Sequence, residues 1–80
     1  MDIKTLFFGI VKDITGLNSI EIEVNTDINI EQFVVLLQER FSNFPDIGNF
    51  TVAVNEEYKE KDYILKRNDI VAIIPPVSGG

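Results

Sequence analysis

A single strong helical stripe, between Ile28 and Phe41, dictates what the rest of this chain must supply. Asn29 is a good N-cap residue, and Gln32 three positions on completes an Asn-x-x-Gln capping box. Ile28 stands where it can staple onto Phe33. Ile30, Phe33, Val34, Leu37 and Phe41 recur at the spacing of one helix face, so the helix has an apolar side that must lie on something. The flanking segments predict a sheet. Ile3 to Val11 is rich in β-branched and aromatic residues, Ser19 to Val24 alternates strictly between apolar and charged, and Thr51 to Val54 and Ile70 to Ile74 are short apolar runs. Gly16 and Asn18 mark a turn between the first two strands. Asn43 is placed to close the helix and Pro45 to prevent its return, leaving Phe44 to Asn49 as a loop. Asn55-Glu56-Glu57 and Lys66-Arg67-Asn68-Asp69 have turn chemistry, with Tyr58 to Leu65 between them as short irregular or edge structure. Strand, strand, helix, strand, short segment, strand is an α+β order: one sheet with one main helix packed on one face.

Composition narrows the chemistry. Eighty residues allow one domain with one modest core, and 45% hydrophobic residues suffice to fill it. The chain has no cysteine and no histidine, so it has no thiol nucleophile, no thiolate metal site and neither the commonest general base nor the commonest metal ligand. No bound metal or cofactor is expected, and an independent hydrolase or zinc enzyme is disfavoured. Thirteen acids against seven bases give a net charge of −6, which repels a phosphate backbone and argues against nucleic acid. Glu21 and Glu23 share one strand face with no pocket signal beside them and read as a solvated surface. The apolar stretch from Leu6 to Val11 is interrupted by Gly9 and is too short for a signal sequence or a membrane span. The expectation is therefore a cytoplasmic chain with no membrane association and with the Asn49-Phe50-Thr51 sequon unused.

One helix covers only one sheet face, yet the first and last strands are apolar on both. Lys4 shares its side with Leu6 and Phe8, which places Ile3, Thr5 and Phe7 under the helix and leaves Leu6 and Phe8 on the open side. In the last strand Val71 and Ile73 then point inward, leaving Ala72 and Ile74 beside Phe8, with Tyr58 joining from the neighbouring segment. A contiguous exposed apolar patch of this kind marks a protein interface.

The segment after that strand is Pro75-Pro76-Val77-Ser78-Gly79-Gly80. The diproline ends the strand and holds the succeeding residues extended, while two glycines without Cβ suit a channel too narrow for side chains. From Pro76 onward the reach is at most roughly 17 Å, enough to cross a partner's active-site cleft. The expectation is a domain over residues 1–75 and a tail over 76–80 whose Gly80 carboxylate is the working group.

These residues carry a family resemblance. Ile3-Lys4-x-Leu6-Phe7-Phe8, Ala53-Val54-Asn55 and Leu65-x-x-x-Asp69-x-Val71-Ala72-x-x-Pro75-Pro76-Val77-Ser78-Gly79-Gly80 together resemble the small subunits of molybdopterin synthase, of the ubiquitin-like β-grasp sulfur carriers. The resemblance implies a β-grasp fold with a mixed sheet. It implies that an E1-like adenylating enzyme spends ATP to form an acyl-adenylate at Gly80 and that a sulfurtransferase converts it to a thiocarboxylate. The tail then enters the large synthase subunit and gives its sulfur to a cyclic pyranopterin monophosphate, in an assembly of two large and two small subunits. By the same resemblance Phe8, Tyr58 and Ile74 anchor the interface. A carrier for another pathway, such as thiamine thiazole synthesis, and a ubiquitin-like modifier ending in an isopeptide bond share the same activation chemistry and stay open at this point.

Overall fold

The computed structural model describes residues 1–76 and builds one mixed sheet from the alternating stretches. The elements are β1 (Asp2–Phe7), α1 (Gly9–Thr15), β2 (Ser19–Glu23), α2 (Ile30–Arg40), a 3-10 turn (Ile47–Asn49), β3 (Thr51–Val54), β4 (Glu57–Tyr58) and β5 (Ile70–Ile74). Across the sheet the strands run β2-β1-β5-β3-β4. The central pair, β1 and β5, is parallel, and every other neighbour is antiparallel. Helix α2 covers one face, which gives the ubiquitin-like β-grasp arrangement that the resemblance implied.

The covered face is built from alternate residues of the central strands. Ile3, Thr5 and Phe7 of β1 and Val71 and Ile73 of β5 are buried beneath Ile30, Phe33, Val34 and Leu37 of α2. The start of α2 is fixed by the predicted box: Gln32 N–H donates to Asn29 Oδ1 at 2.8 Å, and Asn29 N–H donates to Gln32 Oε1 at 2.9 Å. Ile28, just ahead of the cap, packs against the same core.

Two boundaries differ from the sequence expectation. The first strand stops at Phe7 rather than Val11, and a short helix comes next. Gly9 takes φ +54°, outside the extended backbone of a regular strand, and the Phe8 carbonyl then accepts from Val11 N–H at 3.1 Å to open α1. Gly16, at φ +75°, closes it with its N–H donating to Lys12 O at 2.8 Å. Val11 is drawn fully into the core, so tertiary burial overrides the strand preference of Ile10 and Val11. The second difference is at the end of α2, which stops at Arg40; Asn43 is not its cap. Phe41 is extended, its N–H donating to Leu37 O at 2.9 Å, and Phe44 turns back into the core. The Phe7 ring meets the Phe41 and Phe44 rings edge-on at 5.8 and 6.1 Å, so aromatic packing ends the helix ahead of the polar residue.

Candidate functional site

Strand register sets the composition of the uncovered face. Leu6 of β1 lies opposite Ala72 of β5, Ala72 opposite Ala53 of β3, and Ala53 opposite Tyr58 of β4. These four residues form one row across four strands. Phe8 and Ile74 stand one step past the Phe7–Ile73 pair, at the end where both central strands finish. Phe8 is 46% exposed and Tyr58 73% exposed, while Leu6, Ala72 and Ile74 are half-buried. Together they line a shallow apolar depression with Ala53, Ile70 and the Asn55–Glu56 turn. The structure thus brings Leu6, Phe8, Tyr58, Ala72 and Ile74 together on one surface.

Ala53 and Ile70 belong to this surface although the sequence reading did not place them there. Ala53 is 5% exposed yet stands apart from the core cluster, because its neighbours on the open face, and not α2, cover it. The alternation of Thr51 to Val54 contained that signal. Ile70 is 42% exposed and opposite Lys4; the run Ile70-Val71-Ala72 gave the parity that puts it there. Towards β2 the face becomes charged, with Lys4 opposite Glu21 and Asp2 opposite Glu23.

Tyr58 reaches this surface because of a tight turn. Asn55 and Glu56 both take left-handed φ, +52° and +73°, the conformation of a two-residue hairpin whose twist matches the strands. Left-handed backbone costs an ordinary residue roughly 1–2 kcal/mol. The Asn55 side chain offsets this by bonding the start of β5: its Oδ1 accepts from Ile70 N–H at 3.0 Å and its Nδ2 donates to Asp69 Oδ1 at 2.8 Å. Asp69 is buried, and its other oxygen accepts from Lys66 N–H at 2.8 Å and from the Tyr63 hydroxyl at 3.4 Å. The Tyr63 phenol is pushed above its usual range, by burial first and then by the Asp69 carboxylate it faces. Lys59 and Lys66 flank the Tyr63 ring at 5.1 and 5.6 Å, tying the loop before β5 to this network.

At the finishing end of β5, Pro75 is half-buried and Pro76 exposed. A Cβ on Gly9 would come within 2.9 Å of Pro75 Cγ, so the bare backbone of Gly9 forms the seat of that ring. Val77, Ser78, Gly79 and Gly80 lie outside the described residues. Among the described residues no cluster of metal-ligating side chains occurs, and no helix is long and apolar enough to cross a membrane.

Known proteins share this outline. The ThiS family model matches residues 5–80. A molybdopterin synthase sulfur carrier subunit of Dictyostelium discoideum is 35% identical over 83 residues, covering 96% of this chain and 94% of the relative. The human protein of the same description is 33% identical, covering 98% and 93%. Among solved structures, one component of a complex of subunits 1 and 2 of molybdopterin-converting factor from Helicobacter pylori aligns over 100% of both chains, with a TM-score of 0.72 and 25% identity. SAMP1 from Haloferax volcanii aligns over 100% of both with a TM-score of 0.86, and at 18% identity shares the fold.

Proposed function

This chain belongs to the ThiS family, among the molybdopterin synthase sulfur carrier subunits, and we propose a sulfur-delivery cycle that runs through its last residues. It is a non-catalytic subunit and sulfur donor in molybdenum cofactor biosynthesis. The Gly80 carboxylate is an anion at neutral pH and a poor electrophile, so it must be activated. An E1-like enzyme supplies ATP, whose α-phosphorus the carboxylate attacks, releasing pyrophosphate and leaving an acyl-adenylate. The persulfide of a sulfurtransferase then attacks the acyl carbon, AMP departs, and a thiol reduces the S–S bond of the acyl disulfide, so that Gly80 ends as a thiocarboxylate. The carrier binds no cofactor of its own in this cycle, and the work takes place in the cytoplasm.

The partner that consumes the sulfur is the large synthase subunit, two copies of each subunit making the assembly. It covers the face of Leu6, Phe8, Tyr58, Ala72 and Ile74, and the segment from Pro75 through Val77 and Ser78 to Gly79 leads Gly80 into its active site. There the thiocarboxylate sulfur attacks the cyclic pyranopterin monophosphate, water then cleaves the resulting acyl–sulfur bond to return Gly80 as a carboxylate, and two successive deliveries build the dithiolene of molybdopterin. The large subunit holds the substrate and polarises the transfer, as a carrier without histidine requires.

The observation that carries this reading is a juxtaposition. Strand β5 releases Pro75 and Pro76 at the margin of the uncovered apolar face, so a protein seated on that face is within reach of the residues beyond Pro76. The test is intact mass after incubation with ATP, an activating enzyme and a sulfur donor. Replacement of one oxygen by sulfur, confined to the C-terminal peptide and discharged on adding the large subunit with the pyranopterin precursor, is the expected result. Discharge only into a thiazole precursor, or adducts on protein lysines, would reassign the carrier. Removing Gly80 is expected to leave the fold unchanged and abolish transfer.

A further inference from the structure

The uncovered sheet face is charged at both of its margins, and with the same sign. On the β2 side Glu21 lies opposite Lys4 and Glu23 opposite Asp2, so Asp2, Glu21 and Glu23 stand on the same face as Leu6. All three acids are exposed. On the β4 side the apolar depression is bounded by the Asn55–Glu56 turn, where Glu56 is exposed. Lys4 is the one base in the strand rows of this face. The imbalance reflects where the other bases are. Four of the seven lie between Lys59 and Arg67, and three of those four have contacts of their own: Lys61 meets Glu31 of α2 at 3.8 Å, and Lys59 and Lys66 flank the Tyr63 ring. An apolar centre holding Phe8 and Tyr58 is thus bordered by carboxylates on two opposite sides.

We propose that this face selects a partner whose contact surface is apolar at its centre and cationic on both sides, and that the large synthase subunit presents such a surface. The proposal rests on the sulfur-carrier reading. Charge complementarity sets the occupant. An exposed apolar patch invites a second copy of the same chain, and a two-fold dimer would set the same patch of each copy face to face. Because both margins are acidic, acids would then meet acids whichever way the copies were turned, and like charges brought together across an interface are unfavourable. A partner with lysines or arginines facing the two margins meets the opposite condition. The acids are exposed, so they act chiefly through the field felt during encounter, which salt screens, and less through the strength of the final contact. The apolar centre holds the partner, and the margins decide which partner arrives.

The test compares single charge reversals in the full chain: Glu23→Lys on one margin, Glu56→Lys on the other, and Glu39→Lys on the exposed side of α2 as a control with the same change in net charge. Thermal melting establishes that each is folded, and Glu23→Lys decides alone should Glu56→Lys unfold. Stopped-flow mixing with the large subunit gives the association rate at low and high salt, ATP–pyrophosphate exchange reports activation, and sedimentation gives the oligomeric state of the free chain. Each margin reversal is expected to slow association about fivefold at low salt, with the difference vanishing at high salt, while Glu39→Lys stays within about twofold of the unsubstituted chain. The free chain is expected to be a monomer. Equal rates for the margin and control variants overturn the proposal and leave the carrier reading intact. A dimer of the free chain that Phe8→Asp disperses also overturns it, making a second copy the occupant. Loss of exchange with unchanged association overturns it too, assigning the acids to the activating enzyme. Should the unsubstituted chain fail to associate with the large subunit at all, the carrier reading falls and this proposal with it.

Discussion

The two faces of one sheet are made from the same strands and have opposite fates. Ile3, Thr5 and Phe7 alternate with Lys4, Leu6 and Phe8; Val71 and Ile73 alternate with Ala72 and Ile74. The first set is at most 2% exposed under α2, and the second meets solvent. Hydrophobic content does not distinguish them, since β1 and β5 are apolar on both sides. What distinguishes them is where the covering element comes from. The chain supplies its own helix for one face, whose burial stabilises the fold. The other face leaves its apolar area in contact with solvent, where it is available to the complex proposed above.

Core and interface should therefore separate cleanly under substitution. Phe33→Ala, at a side chain with no exposure, is expected to cost about 3–5 kcal/mol in chemical denaturation, the range for a truncated buried phenylalanine. It should leave large-subunit affinity per folded molecule unchanged. Phe8→Asp should do the reverse. Aspartate is favoured at an N-cap, so unfolding free energy should move by less than about 1 kcal/mol, while affinity falls by at least about 2 kcal/mol. If denaturation shifts more than binding, the open face is holding the fold together and the division fails.

Between the two lies Asp69, which belongs to neither face but fixes Tyr58 through Asn55. Asp69→Ala removes the acceptor for Asn55 Nδ2 and Lys66 N–H and should cost about 1–3 kcal/mol, with a smaller loss of partner affinity as the hairpin loosens. Asn29→Ala, at the α2 cap, should cost about 1 kcal/mol and leave binding untouched. The smallest effect is alkaline. The Tyr63 phenol titrates above its ordinary value in the folded chain, so its contribution is fully present below about pH 10 and is lost as pH rises through the folded value. Melting followed into alkali should show a slope that Tyr63→Phe removes.

The legible and illegible parts of the sequence divide along physical lines. The α2 cap and stripe are local patterns with a fixed period, and Asn29, Gln32 and Phe33 do what that pattern demands. Strand parity is likewise a period, and Lys4 was enough to orient all of β1. Helix α1 was hidden because seven residues are too few to show a helical period, and Ile10-Val11 reads as strand by composition. Gly9 and Gly16, spaced to open and close a two-turn helix, were the available signal. The end of α2 escaped for a different reason: Phe41 and Phe44 stop it by packing on Phe7, a contact across the whole domain. On the candidate site, parity alone placed Leu6, Phe8, Ala72 and Ile74. Tyr58 was expected beside them from the neighbouring segment, and the left-handed turn at Asn55 and Glu56 is how it gets there, while the contribution of Ala53 needed the strand order.

The parallel pairing of β1 with β5 has a consequence for the protein's synthesis. The strand at the middle of the sheet is the one translated after all the others, and without it β1 and β3 have no neighbour in common. A nascent chain halted anywhere before residue 70 lacks Val71 and Ile73 and has a sheet in two pieces, so it is exposed to the cell's proteases. Folding thus acts as a proofreading step. Only a chain translated as far as the residues that lead into Pro75 and Pro76 can close its sheet.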